Sequence, residues 1–175
     1  MPRILIVYST TDGHTLKICQ RLRQAIEPSG AQVDIASVAD AAGIDLGAYD
    51  KIVVGASIRY GHHSRAVRDY VDGHADELAA KPNAFFSVNI VARKPDKNRP
   101  ETNPYLRKFL KGIRWQPRQL AVFAGKLDYP RYGFFDRLMI RLIMLITRGP
   151  TDPKAIIEFT DWPAVDAFGR RIAQM

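Results

Sequence analysis

Continuous runs of apolar, mostly β-branched residues recur along this chain with helix-length gaps between them. No other feature constrains its fold as much. Ile4-Leu5-Ile6-Val7-Tyr8 is apolar throughout and ends on polar turn residues. A strand with one wet face would alternate, so this run predicts a strand covered on both faces, as in a parallel sheet. Similar runs follow at Lys51-Ile52-Val53-Val54-Gly55-Ala56, Ala84-Phe85-Phe86-Ser87-Val88 and Leu120-Ala121-Val122-Phe123-Ala124-Gly125. A shorter alternating one, Val33 to Val38, suits a place near the sheet edge.

Helical periodicity fills the gaps. Leu16, Cys19, Leu22 and Ile26 recur at spacings of three and four and close at Pro28-Ser29-Gly30, a helix stop. Val67, Tyr70, Val71, Ala75 and Leu78 predict a second helix over 66–78. Residues 40–48 are weakly helical, 105–111 form a third helix, and 161–173 a last one with Thr160 or Asp161 as N-cap. Such alternation predicts βαβ units with right-handed crossovers and helices on both faces of one sheet. Five strands suit the doubly wound α/β order 2-1-3-4-5, whose ligand crevice opens at the carboxyl ends of strands one and three. One stretch breaks the rhythm. Residues 127–153 form an insertion after strand five, too small for a core of its own, so residues 1–175 read as one domain.

Charge narrows the partners. The chain has 26 Lys and Arg against 18 Asp and Glu, a formal net charge of +8, and a pI near 9.8. That excess predicts an anionic partner: nucleic acid, an anionic membrane surface or an acidic small molecule. The single cysteine, Cys19, falls within the first helical pattern. It reads as a small core residue, which suits a reducing cytosolic compartment. Met1-Pro2-Arg3 runs straight into the first strand, so no signal peptide is expected. No apolar run reaches the roughly 18 residues that mark a membrane span.

Ser9-Thr10-Thr11-Asp12-Gly13-His14-Thr15 joins the first strand to the first helix. A phosphate needs this chemistry: N–H groups at a helix N-terminus, a favourable macrodipole and short hydroxyl donors. Gly13 lets the backbone bend close to a ligand. Elsewhere such a turn would simply cap a helix; its place after the first buried strand favours anion binding. With no G-x-G-x-x-G present, a mononucleotide with one terminal phosphate is expected rather than a dinucleotide.

The loop resembles the flavodoxin phosphate loop, T/S-x-T-G-x-T, with Asp12 replacing the middle threonine. The resemblance implies a flavodoxin-like fold and an FMN cofactor. A carboxylate beside a phosphate dianion is repulsive, so Asp12 is expected to point away. An isoalloxazine needs a flat wall and backbone donors, and gains from a positive charge. Ser57-Ile58-Arg59-Tyr60-Gly61 after the third strand suits this, with Tyr60 as wall, Arg59 as charge and Gly61 for close approach. Ser87-Val88-Asn89 is the third candidate loop, with Asn89 placed to bond the ring edge. His62 and His63 invite a metal, but no carboxylate or cysteine stands at ligand spacing, and none is expected. No nucleophile elbow exists, so no catalytic side chain is assigned and the flavin would carry the chemistry.

The basic loop Arg93-Lys94-Pro95-Asp96-Lys97-Asn98-Arg99 overhangs the predicted crevice and suits carboxylates, or is a solvated loop. In the insertion, Tyr129-Pro130-Arg131-Tyr132-Gly133-Phe134-Phe135 is aromatic and basic, and Leu138 to Ile146 is apolar apart from Arg141. On a helix, Arg137, Arg141 and Arg148 fall along one narrow stripe. The helix is too short to span a bilayer. It suits the membrane interface with its arginines toward anionic headgroups, or contact with an apolar substrate, or else a core or dimer contact. Nucleic acid is not expected, because the cations flank apolar surface rather than line a groove with stacking aromatics.

Together, Ser9-Thr-x-Asp-Gly-x-Thr15, Gly55-Ala-Ser-Ile-Arg-Tyr-Gly-His62, Phe86-Ser-Val-Asn89, Val91-Ala-Arg-Lys-Pro95, Tyr129-Pro-Arg-Tyr132 and Thr160-Asp-Trp162 resemble one family. It is the flavodoxin-like, menaquinone-dependent protoporphyrinogen IX dehydrogenase of bacterial haem synthesis. The resemblance implies an FMN enzyme bound peripherally at the cytoplasmic face of the inner membrane. It would dehydrogenate protoporphyrinogen IX and pass electrons to menaquinone or ubiquinone. Arg93, Lys94 and Arg131 are assigned, as a hypothesis, to the substrate's propionates. Rival readings are a flavodoxin-type electron carrier, an NAD(P)H–quinone reductase and a non-enzymatic membrane-surface module. The oligomeric state is left open, a homo-oligomer included.

Overall fold

The computed structural model describes residues 1–175. In chain order the elements are β1 (Arg3–Ser9), α1 (His14–Ile26), β2 (Gln32–Ser37), α2 (Val38–Ala41), β3 (Lys51–Arg59) and β4 (His62–His63). Then come α3 (Arg65–Gly73), α4 (Ala75–Ala79), β5 (Asn83–Asn89), α5 (Pro104–Lys111), β6 (Gln119–Ala124) and β7 (Lys126–Asp128). Last are α6 (Phe134–Ile146), β8 (Ile156–Glu158) and α7 (Trp162–Gln174).

The main sheet runs β2-β1-β3-β5-β6 with every neighbour parallel, the doubly wound order expected from the alternation of runs. Successive side chains of a strand point to opposite faces, and the two faces have separate cores. Leu5, Val7, Ile52, Val54 and Phe85 pack with residues of α3, α4 and α5. Ile4, Ile6, Val53, Phe86 and Phe123 pack with α1 and α7. Ile4 to Val7 are fully buried, which is why that run shows no polar alternation.

The carboxyl ends of the strands are held level by register. Ser9 pairs with Ala56, and Ala56 in turn with Ser87, so the loops after β1, β3 and β5 leave the sheet along one edge. Gly55 lies opposite Phe86, and a Cβ on it would fall 2.0 Å from that ring.

Four features depart from the expectations. The helix over 66–78 breaks at His74, giving α3 and α4. β3 continues to Arg59 and folds back as a hairpin with β4, where a loop was expected. Its turn residues Tyr60 (φ 52°) and Gly61 (φ 81°) are both left-handed. That is the primed two-residue turn whose twist matches a hairpin. The insertion is bounded by an antiparallel ribbon of β7 and β8, which was not expected, and its helix α6 runs from Phe134 through the whole apolar run.

The fourth departure is the arginine stripe. Arg137 donates to the carbonyls of Tyr129 and Tyr132 at 3.3 Å each, and Arg141 to that of Thr151 at 3.1 Å. Arg148 lies past the helix end at φ 58°, where Gly149 N–H closes on the Met144 carbonyl at 2.7 Å. Arg137 and Arg141 therefore give donors to irregular backbone inside the insertion, Arg141 while still exposed; such carbonyls need donors wherever they are withdrawn from water.

Gly55→Ala should destabilise the fold by about 1–3 kcal/mol through overpacking against Phe86. Urea unfolding checks this, since Gly55 has ordinary negative φ and backbone strain does not enter.

Candidate active site

A crevice of about 150 Å³ opens where the loops after β1, β3 and β5 meet α6. The first loop builds its polar end. Gly13 sits at φ 85° as the N-cap of α1, and no side chain caps the helix there. Its N–H is taken by Thr10 Oγ1 at 2.9 Å. The first-turn N–H groups of a helix have no intrahelical acceptor, so this uncapped N-terminus presents donors. Thr15 Oγ1 is buried, lines the crevice and has no hydrogen-bond partner. An orphaned hydroxyl beside an open helix N-terminus fits a phosphate.

Thr10, Thr11, Asp12, His14 and Thr15 line this crevice. Gly13 lines a polar side cavity that shares Asp12 and His14 with it. Ser9 stands apart, its hydroxyl against Ser64 Oγ at 3.2 Å. Burial pushes the Asp12 carboxyl up, opposed by Arg131 and Arg59. Its backbone carbonyl accepts from Arg131 Nη1 at 3.1 Å. His14 Nε2 meets Thr160 Oγ1 at 2.7 Å, and the Thr160 hydroxyl donates to the Ala124 carbonyl. That hydrogen being committed, Nε2 must be the donor. Burial lowers the His14 pKa, against Glu158.

Ser57, Ile58, Arg59, Tyr60 and Gly61 all line the crevice. Arg59 and Tyr60 do not face it as free groups: the guanidinium donates to Asp136 Oδ2 at 2.8 Å, and the Tyr60 hydroxyl donates to the same carboxylate. The third loop is divided. Val88 and Asn89 reach the crevice, whereas Ser87 does not. Ser87 Oγ is buried against His63 Nε2 at 2.8 Å and the Asn89 amide at 3.1 Å. The Asn89 Oδ1 accepts from Ala92 N–H and from Asn103. Asn89 therefore shapes the loop and has no free group for a ring edge, a correction to its expected role. Burial drives the His63 pKa down to about 3.

The three residues assigned to propionates separate. Arg93 donates to the carbonyl and hydroxyl oxygens of Thr147 at 3.1 and 3.0 Å, which ties the end of α6 to the body. Neither Arg93 nor Lys94 lines the crevice or the side cavity. Arg131 lines the side cavity with Lys17 and Lys126. Residues missed in the sequence are Tyr105, Lys126 and Asp136; Met139, Ile140, Ile143 and Met144, from the run expected to meet membrane or apolar substrate, wall the crevice. Asp136, the lone acid in an aromatic and apolar run, was the available signal.

A doubly wound sheet with an anion cradle at the carboxyl end of its first strand, beside a crevice walled by apolar side chains, defines a flavodoxin-like flavin protein. Residues 5–154 match the flavodoxin domain family. The fold is shared with oxidised flavodoxin 1 from Bacillus cereus, at TM-score 0.55 and 14% identity over 98% of this chain and 97% of that one. The chain is 46% identical to the protoporphyrinogen IX dehydrogenase [quinone] of Escherichia coli K12 over 173 residues, 99% of this chain and 96% of the relative. It is 48% identical to the Leishmania major protein of the same name over 175 residues, 99% of this chain and 76% of that protein. The chain belongs to the protoporphyrinogen IX dehydrogenase [quinone] family.

Thr15→Val keeps the side-chain shape and removes the orphan hydroxyl. Fluorescence titration should show flavin affinity falling roughly tenfold, while urea unfolding of the flavin-free protein shows stability unchanged or slightly higher.

His63 supplies a pH test. Its proton affinity is lowered from 6.5 to about 3 in the fold, so below about pH 6.5 only the unfolded chain takes the proton. Stability should fall as pH drops toward 3, by up to ~1.4 kcal/mol per pH unit from this group. Urea unfolding of His63→Leu should show a shallower acid slope than the parent.

Proposed function

We propose that this protein holds FMN in the crevice and oxidises protoporphyrinogen IX in successive hydride-level steps, delivering electrons to menaquinone or ubiquinone. The reading is carried by the family match across 99% of the chain, because that span includes the insertion whose helix walls the crevice. Thr15 and the open N-terminus of α1 would hold the phosphate, with the loops 57–61 and 88–91 around the ring. When bound, FMN supplies a two-electron acceptor that a quinone can reoxidise.

The chain's own residues supply the rest. Met139, Ile140, Ile143 and Met144 give the apolar wall that a tetrapyrrole needs, and they exclude water. Lys126 reaches both the crevice and the side cavity, and Arg131 lines the latter, so this pair is placed to meet a propionate. Arg93 and Lys94 are dropped from that role. Neutralising Lys126 and Arg131 should raise the substrate KM by roughly tenfold with a smaller change in kcat.

The outer side of α6 supports a membrane-surface role. Phe134, Phe135, Leu138, Leu142, Leu145 and Ile146 are all at least half exposed, more contiguous apolar surface than a solvated helix carries. No helix is long and apolar enough to cross a membrane. The protein would therefore lie on the cytoplasmic face of the inner membrane, its +8 charge attracting anionic lipid. Co-sedimentation with vesicles containing anionic lipid should be lost in Leu142→Asp. A dimer in solution with no vesicle binding would reassign the surface.

The deciding assay adds protoporphyrinogen to the FMN-loaded protein under anaerobic conditions, with and without a menaquinone analogue, and follows porphyrin fluorescence. Quinone-dependent turnover is expected. Bleaching by NADPH with no porphyrin formed would mark a reductase instead.

A further inference from the structure

The insertion helix α6 touches the rest of the molecule through polar side chains at its two ends, and the ends differ. At the C-terminal end, Arg93 grips Thr147, Gly149 closes the helix, and Met144 is 1% exposed within a cluster with Leu127, Tyr129 and Tyr132. At the N-terminal end Arg137 binds only the insertion's own turn, at the Tyr129 and Tyr132 carbonyls, and a single carboxylate makes the polar contact with the hairpin. Asp136 accepts from Arg59 Nη2 at 2.8 Å and from the Tyr60 hydroxyl, on the rim of the crevice. The Arg59 side chain is half exposed, so this ion pair separates at modest cost, whereas the other end is packed.

The hairpin turn points to the same place. Tyr60 adopts φ 52°, a conformation that glycine or asparagine takes readily and a large side chain resists. Turn geometry alone does not call for tyrosine. What tyrosine adds is a ring stacked against the Arg59 guanidinium, 5.0 Å from its centroid, and a hydroxyl that reaches Asp136. The strain is retained where the hairpin meets the helix.

We propose that Asp136 is a positioning residue that couples closure of α6 over the crevice to the placement of Arg59 and Tyr60. With the carboxylate engaged, Met139 and Ile140 complete the apolar wall, Tyr60 is held at the crevice mouth, and the Arg59 charge is compensated. With it released, the first half of α6 moves off the hairpin on its attachments at Tyr132 and Thr147 and opens the crevice to a large apolar substrate. The substrate assignment rests on the function proposed above; the latch itself does not.

The test uses the FMN-loaded protein and its Asp136→Ala and Asp136→Asn variants. Backbone hydrogen exchange read by mass spectrometry should quicken by roughly tenfold in the first half of α6 and stay unchanged around Thr147. The flavin midpoint potential should rise in both variants, because the Arg59 charge is no longer opposed. The KM for protoporphyrinogen should rise roughly five- to tenfold with kcat changed less, and Asp136→Asn, which keeps an acceptor for Tyr60, should be milder. If Asp136→Ala does not fold, Tyr60→Phe removes one contact from an exposed side chain and should give a smaller change of the same kind in exchange. Unchanged exchange, or equal loosening along the whole helix, overturns the latch. Loosening confined to the first half with no porphyrin turnover in any form, the parent included, overturns the substrate assignment and leaves the latch standing.

Discussion

The parallel pairing of β1 with β3 is the contact on which the rest of the molecule depends. Ile6 faces Val53 in the middle of a sheet buried on both sides, and the same register sets Ser9 beside Ala56. Chain reversal after each strand must run through a helix on one face or the other. The two loops that follow are thus forced out at one edge, at the point where the winding direction changes. A crevice there is a consequence of connectivity. What distinguishes this chain is what it places in the gap: an uncapped helix N-terminus, a hydroxyl with no partner, and a hairpin turn carrying tyrosine.

Polar groups near that edge divide into those committed and those left open. His63, Ser87, Asn89 and Asn103 form one buried chain of hydrogen bonds that links β4, β5 and the N-terminus of α5. Each member satisfies another, so the network stiffens the third loop without offering it a ligand group. Thr15 is the opposite case, buried and unsatisfied. Arg23 Nε, the Tyr70 hydroxyl and Trp115 Nε1 are also buried without partners, but of the four only Thr15 lines the crevice, and an orphan there marks where something external belongs.

The strand order, the helix alternation and the anion cradle were legible because each follows from local pattern: apolar runs, three-four spacing, a glycine before a helix. The roles of Asn89, Arg93 and Arg137 were not, because each depends on partners that only the folded chain supplies. Asn89 is taken up by Ser87, Asn103 and Ala92 N–H. Arg93 and Arg137 are taken up by the carbonyls of Thr147, Tyr129 and Tyr132, far from regular pairing. Composition marks such residues as basic or polar; only the path of the insertion decides whether they face solvent. Asp136 shows the converse. Its partners Arg59 and Tyr60 lie more than seventy positions away, beyond any motif.

That path also changes how the insertion's chemistry is arranged. Had Arg137 and Arg141 stayed on a solvent stripe, α6 would be amphipathic in the ordinary sense, with charge on one side and apolar groups on the other. Arg137 and Arg141 bond carbonyls of the insertion, Arg141 while still exposed, and the helix is apolar on two other sides. Ile140, Ile143 and Met144 face the crevice, and Phe135, Leu138, Leu142 and Leu145 face out. A helix with both sides apolar and few polar attachments has no strong preference between packing down and lifting. Asp136 at one end and Thr147 at the other supply that preference. Arg137 and Arg141 fasten the helix to the insertion's own backbone, so the two contacts that tie it to the sheet loops, at Asp136 and Thr147, set its place over the site.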